Sequence, residues 1–168
     1  MSDLSWIIEA RRHIGQREIK GSKHNPLILS WLQKLGAWWA NDEVPWCGVF
    51  VAECLRVGSR ALPKHWYRAS DYLGWGTRLD RPCYGCVVVF TRQGGGHVGF
   101  VVGKDKQGNL MVLGGNQGDA VSIAPFSVGR VSGYRWPPSP TGDPKAPSAI
   151  RYDLPTLSSN GRVSTDES

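Results

Sequence analysis

Cys47 stands where a sulfur can become a nucleophile. It follows Val44-Pro45-Trp46 and opens the apolar run Gly48-Val49-Phe50-Val51-Ala52-Glu53-Cys54-Leu55. Proline steers the residue before it into extended backbone. Phe50, Val51, Cys54, Leu55 and Gly58 then recur three or four apart, so they share one face of a helix. Cys47 falls in the first turn of that helix, where unpaired N–H groups favour thiolate over thiol. A free cysteine is more commonly a small core hydrophobe, so a base must be found for it.

Four histidines are present. His13 falls on a first helix, His24 in a polar loop and His65 in an irregular region. His97 differs: it follows Gly94-Gly95-Gly96 and begins Val98-Gly99-Phe100-Val101, a strand whose glycines admit another backbone or a substrate. It is the candidate base. The following strand ends in Leu113-Gly114-Gly115-Asn116-Gln117-Gly118. In an antiparallel pair the end of one strand lies beside the start of its neighbour, which puts Asn116 within reach of His97. An amide oxygen there would fix the imidazole tautomer. A plain Gly/Asn turn is equally natural by composition.

The elements that must position these residues change texture along the chain. A first helix runs from about Leu4 to Ile14, with Ser2 or Asp3 as its cap. Asn25-Pro26 opens a second, ending at Gly36. The cysteine helix ends near Gly58. Residues 59–82 read as irregular, with a short helical piece at Ala69–Gly76. Strands are expected at Cys86–Thr91, His97–Gly103, Leu110–Leu113, Ala120–Ala124 and Val131–Trp136. Helices first and an antiparallel sheet second argue for an α+β fold. Residues 1–136 form one domain, and the Pro- and Ser-rich stretch 137–168 reads as a disordered tail.

The formal charge is +6, with the excess in residues 1–136. That suits a polyanion such as nucleic acid, an anionic membrane or a bacterial wall. No basic run or nucleic-acid motif is present, and no apolar run is long enough to span a bilayer. The start of the chain lacks a secretory signal pattern, so synthesis in a cytoplasm is expected, with action in the periplasm or wall after lysis or specialised export. Cys83-Tyr84-Gly85-Cys86 has the spacing of half a zinc site. The other half is missing, so the pair reads as packing at the start of a strand. No cofactor, metal or Asp-rich calcium loop is expected.

Pro45-Trp46-Cys47-Gly48-Val49-Phe50-Val51, Gly96-His97-Val98-Gly99-Phe100-Val101-Val102 and Leu113-Gly114-Gly115-Asn116-Gln117 resemble, in that order, the three signature blocks of CHAP-related peptidoglycan hydrolases. These are papain-like cysteine amidases and peptidases, alongside the NlpC-type wall peptidases. The likeness runs from Trp6 to Trp136 and is nearest a phage and prophage lysin-like subgroup. It implies Cys47 as nucleophile, His97 as base and Asn116 as orienter, with the cysteine helix packed on a central antiparallel sheet. Two departures stand out. Many CHAP domains carry Glu two residues before the position of Asn116, where this chain has Gly114. The strand after Pro82 usually begins Gly-Asp, and here it is Gly85-Cys86. Orientation of the base therefore rests on Asn116 alone, or on a residue from elsewhere.

The implied function is hydrolysis of an amide bond in wall peptide, as a phage endolysin or an antibacterial effector. The oxyanion would be held by the Cys47 N–H and a second donor, Asn41 or Gln117. Glu43, Trp46 and Glu18 are further candidates for substrate contact, and Trp39, Trp66 and Trp75 for a sugar or peptide groove. The implied partner is peptidoglycan, bound by a monomer, with an immunity or inhibitor protein left open. The rival readings are a non-catalytic wall-binding or phage structural module, and a cysteine deamidase or transferase acting on proteins.

Overall fold

A computed structural model describes residues 3–20, 24–41, 45–92 and 95–158 of the chain. Three helices come first: α1 (Ser5–Arg12), α2 (Pro26–Leu35) and α3 (Cys47–Val57). A 3-10 turn (Ala69–Gly74) leads into six strands. These are β1 (Thr77–Leu79), β2 (Val87–Arg92), β3 (Gly95–Lys104), β4 (Leu110–Gly114), β5 (Ser122–Phe126) and β6 (Val131–Trp136). They form one sheet in the order β1-β6-β2-β3-β4-β5, every pair antiparallel. The α+β reading holds, with α3 laid against β3 and β4.

Local chemistry accounts for the helix ends. The Asn25 side chain accepts the Leu27 N–H at 2.8 Å, and Pro26 takes the first helical position, where no N–H is needed. Gly36 ends α2 in the left-handed region, at φ 81°. α1 starts later than expected: Leu4 is its cap residue, and Asp3 accepts the Leu4 N–H instead of capping by side chain. Nearly all of α3 is buried, Cys47 through Leu55, which is why its apolar pattern has little polar relief.

β1 is the strand the sequence did not announce. It is three residues long with Arg78 at its centre, and it exists because β6 offers it a ladder. The fifth strand lies two residues later than expected and includes Pro125, which is tolerated because β5 is an edge.

The expectation of a disordered tail is corrected for residues 137–158. Pro137, Pro138 and Ser139 are buried. The Arg60 guanidinium donates to the Pro137 carbonyl at 2.7 Å. Further on, Tyr84 N–H donates to the Arg151 carbonyl at 2.7 Å, and Lys104 N–H to the Pro155 carbonyl at 2.9 Å. Leu157 N–H returns to the Lys104 carbonyl at 2.7 Å, while Leu154 and Leu157 pack on the core. Gly103 makes room for this strap, since a Cβ there would lie 2.7 Å from the Pro155 carbonyl oxygen. Composition missed it because the strap is held by backbone bonds and two leucines, not by a periodic apolar face. Residues 159–168 lie outside the described residues.

Candidate active site

Cys47 is the first residue of α3, capped by Trp46 in non-helical backbone. The residue is 6% exposed, whereas Cys54, Cys83 and Cys86 are fully buried. The first turn of α3 is wedged tightly. A Cβ on Gly48 would lie 2.8 Å from the carbonyl oxygens of Trp66 and Tyr67. The Tyr72 hydroxyl is within bonding distance of the carbonyl oxygens of Gly48 (3.1 Å) and Trp66 (2.9 Å). Burial, then the nearby Cys47 sulfur, drives the Tyr72 phenol well above its ordinary value, so it stays a neutral donor.

Trp46 was a candidate for substrate contact, and the structure corrects that. Its ring is 1% exposed, beside Trp31 with centroids 6.2 Å apart, and its Nε1–H donates to Glu18 Oε1 at 3.2 Å. Glu18 is likewise spent on holding this ring, so the pair positions the residue before the nucleophile. Trp75 is also in the core, donating to the Ala61 carbonyl at 2.9 Å. Trp39 and Trp66 differ: both are half-buried and stack at 6.0 Å beside Tyr67, next to the fully exposed Trp38. Asn41 is half-buried in the loop before α3. Glu43 lies outside the described residues.

His97 is fully buried on β3, paired across the ladder with Phe90. Its ring stacks on Phe126 at 5.3 Å and on Phe90 at 6.2 Å, which fixes the plane of the imidazole. Continuing the β3–β4 register, where Phe100 faces Leu113, would set Asn116 opposite His97, as expected from sequence. The chain leaves the ladder first. Asn116 takes left-handed backbone at φ 60°, and its buried Oδ1 has no hydrogen-bond partner among the described residues.

Gln117 makes the bond expected of Asn116. Its Oε1 lies 2.9 Å from His97 Nε2. Its amide nitrogen donates to the Val112 carbonyl at 3.2 Å, and to Ser122 at the carbonyl (2.9 Å) and the hydroxyl (3.2 Å). Those acceptors fix which end of the amide is oxygen. Oε1 can only accept, so His97 Nε2 carries the proton and Nδ1 is the basic nitrogen of the neutral ring. Gln117 is therefore not a free oxyanion donor, because both ends of its amide are committed.

Gly114 explains why Gln117 can do this. A Cβ at Gly114 would lie 2.3 Å from Gln117 Oε1 and 3.3 Å from His97 Nε2. The missing glutamate and the incoming glutamine would occupy the same space. Gly115, next in the chain, turns to the cysteine helix: a Cβ there would lie 2.6 Å from Phe50 Cβ and 2.8 Å from the Trp46 ring. The Gly114–Gly115 pair thus sits between the base and the start of α3.

The Gln117 turn is itself clamped. Gln117 N–H donates to the Ala120 carbonyl, and residues 15–18 run beside it through Val121 N–H to the Gln16 carbonyl and Glu18 N–H to the Asp119 carbonyl. Residues 15–18 belong to no helix or named strand. Nothing in their composition shows that they brace a turn a hundred residues away. Among the described residues no cluster of His, Cys, Asp and Glu has the makings of a metal site.

A buried cysteine opens a helix that packs on an antiparallel sheet carrying a histidine, an α+β arrangement compatible with the papain-like fold. Residues 39–116 match the family model of the CHAP domain. CHAP domains are in general cysteine amidases or peptidases with peptidoglycan as substrate. The match contains the cysteine and histidine blocks and ends at Asn116, one residue short of Gln117. No curated protein and no solved structure matches the chain.

Proposed function

We propose that the chain hydrolyses an amide bond in the peptide part of peptidoglycan, with Cys47 as nucleophile, His97 as base and Gln117 as the residue that orients His97. The observation that carries this is the direction of the His97–Gln117 hydrogen bond, which leaves Nδ1 as the nitrogen able to take a proton. In the reaction Nδ1 accepts the Cys47 Sγ proton, and the thiolate attacks the substrate carbonyl carbon. The tetrahedral oxyanion lies at the start of α3, beside the Cys47 backbone N–H, which can donate to it. Nδ1–H then passes its proton to the leaving amine. Water attacks the resulting thioester and gives its proton to Nδ1, the C–S bond breaks to release the carboxylic acid, and Nδ1–H returns the proton to Cys47 Sγ.

The site of action is the bacterial wall or periplasm, where this substrate lies, reached by lysis or specialised export as an endolysin or an antibacterial effector. The Trp39–Trp66 stack is the surface best suited to a sugar or peptide flank of the substrate.

The test is digestion of purified peptidoglycan followed by fragment masses and end-group analysis. New amino termini within the peptide are expected. Free lactyl groups would move the cut to the glycan junction, and unaltered wall would leave a binding module.

A further inference from the structure

β1 and β6 pair so that Arg78 stands directly opposite Arg135. Like charges in facing positions destabilise a ladder. Arg135 registers it: burial, then the Arg78 charge, hold its guanidinium below the usual arginine range. Among the described residues neither arginine has a carboxylate at ion-pair distance. Arg135 instead donates Nε and Nη2 to the Leu73 carbonyl (3.1 and 2.6 Å) and Nη1 to the Tyr134 carbonyl (2.9 Å). Three of its five N–H bonds are thereby used, which clamps the plane and leaves two for a ligand.

Arg78 and Arg135 both line one open groove of about 620 Å³, together with Arg81, Ser132 and a single acidic residue, Asp80. None of its lining residues belongs to the Cys47–His97–Gln117 region. A repulsive pair kept beside a cavity, with one member pre-clamped, has the form of a site built for an anion.

We propose that this groove is a phosphate-binding site, with Arg78 and Arg135 as the pair that holds the ligand's oxygens. A carboxylate offers two oxygens, which one guanidinium fork saturates. A tetrahedral phosphate offers oxygens to two forks at once. Three arginines against one aspartate also match a charge of one to two negative units. The proposal is independent of the hydrolase reading.

The experiment is thermal unfolding of the full chain in sodium phosphate, sodium acetate and sodium chloride at matched pH and ionic strength. Phosphate is expected to raise the midpoint by about 2–4 °C over chloride, and acetate is expected to leave it level with chloride. The Arg78 side chain is exposed and makes no hydrogen bond among the described residues, so Arg78→Ala should fold. That variant should lose the phosphate response while melting in chloride at or above the wild-type midpoint, because the repulsion is gone. A second arm compares inorganic phosphate with poly(glycerol phosphate). Tighter binding per phosphate by the polymer identifies a phosphodiester chain as the source, and equal binding identifies a single phosphate group. An equal rise in acetate or chloride, or a phosphate response retained by Arg78→Ala, would overturn the proposal.

Discussion

His97 Nε2 and Gln117 Oε1 stand 2.9 Å apart, and the direction of that bond is set by the other end of the glutamine, which donates to Val112 and Ser122. The glutamine fits because residue 114 is glycine. The space a side chain would fill at 114 is taken by the carboxamide of 117.

The first prediction is a swap. Gln117→Ala should lower wall hydrolysis roughly ten- to a hundredfold, the cost of losing one buried partner of about 1–3 kcal/mol. Asn116→Ala should cost less. Gly114→Glu alone should be inactive or unfolded through collision with Gln117. The double variant Gly114→Glu/Gln117→Ala should recover activity, because a carboxylate then takes up the vacated position. Initial rates and pH–rate profiles of the four variants check this; an Asn116→Ala loss larger than that of Gln117→Ala would make Asn116 the orienter after all.

This also shows how much of the site sequence could carry. The places of Cys47 at the start of a helix and of His97 on a strand were legible because both sit inside blocks whose apolar and glycine pattern is local. The Gln117 bond to His97 was not, since Asn116 is opposite His97 by register and is turned away from the ladder by one backbone angle. A left-handed residue at the end of a strand leaves no trace in composition, and asparagine is a residue that adopts it readily. The fold was legible for the same local reason. Helix caps at Asn25 and Gly36 and the β-branched runs are short-range signals. β1 and the 137–158 strap depend on partners far along the chain.

Alkylation should single out Cys47. The other three thiols are fully buried, and burial holds Cys54 and Cys86 well above the ordinary thiol range. Brief iodoacetamide treatment at neutral pH should modify Cys47 alone, read by peptide mass. His97→Gln should slow that labelling about tenfold or more, because an unassisted thiol is only a few per cent thiolate at pH 7. Equal rates with and without His97 would break the pairing.

Stability should fall on the alkaline side. Burial raises Cys54, Cys86 and Tyr72 well above their ordinary values and pushes Tyr134 up to about 12. The native state therefore holds these protons longer than the unfolded chain. Their contribution is complete below the unfolded values, about 8.5 for Cys and 10 for Tyr, and is lost as pH climbs toward the folded ones. On the acid side Glu9 acts in the opposite sense. Burial works to raise it, but its bonds and charge contacts with His13 and Arg12 outweigh burial and leave it lowered. Its contribution is present above about pH 4.3 and fades as pH drops through the folded value. Urea midpoints measured from pH 3 to 11 should trace a plateau with both shoulders; a midpoint that holds steady from pH 9 to 11 would contradict the buried thiols and phenols.

Removing the strap should cost stability. A chain ending at Trp136 loses the bonds to Arg60, Tyr84 and Lys104 and uncovers the apolar surface under Leu154 and Leu157. Roughly 2–3 kcal/mol is expected, or a midpoint lower by about 5–10 °C. An unchanged midpoint would mean that residues 137–158 do not hold the body together.

The most direct measurement is the release of amino termini from purified peptidoglycan by the wild-type chain and by Cys47→Ala, with circular dichroism showing both folded. The wild type should generate new termini in proportion to time, and the variant should generate none above the wall alone. Release by the folded Cys47→Ala variant at the wild-type rate would contradict a sulfur nucleophile at position 47.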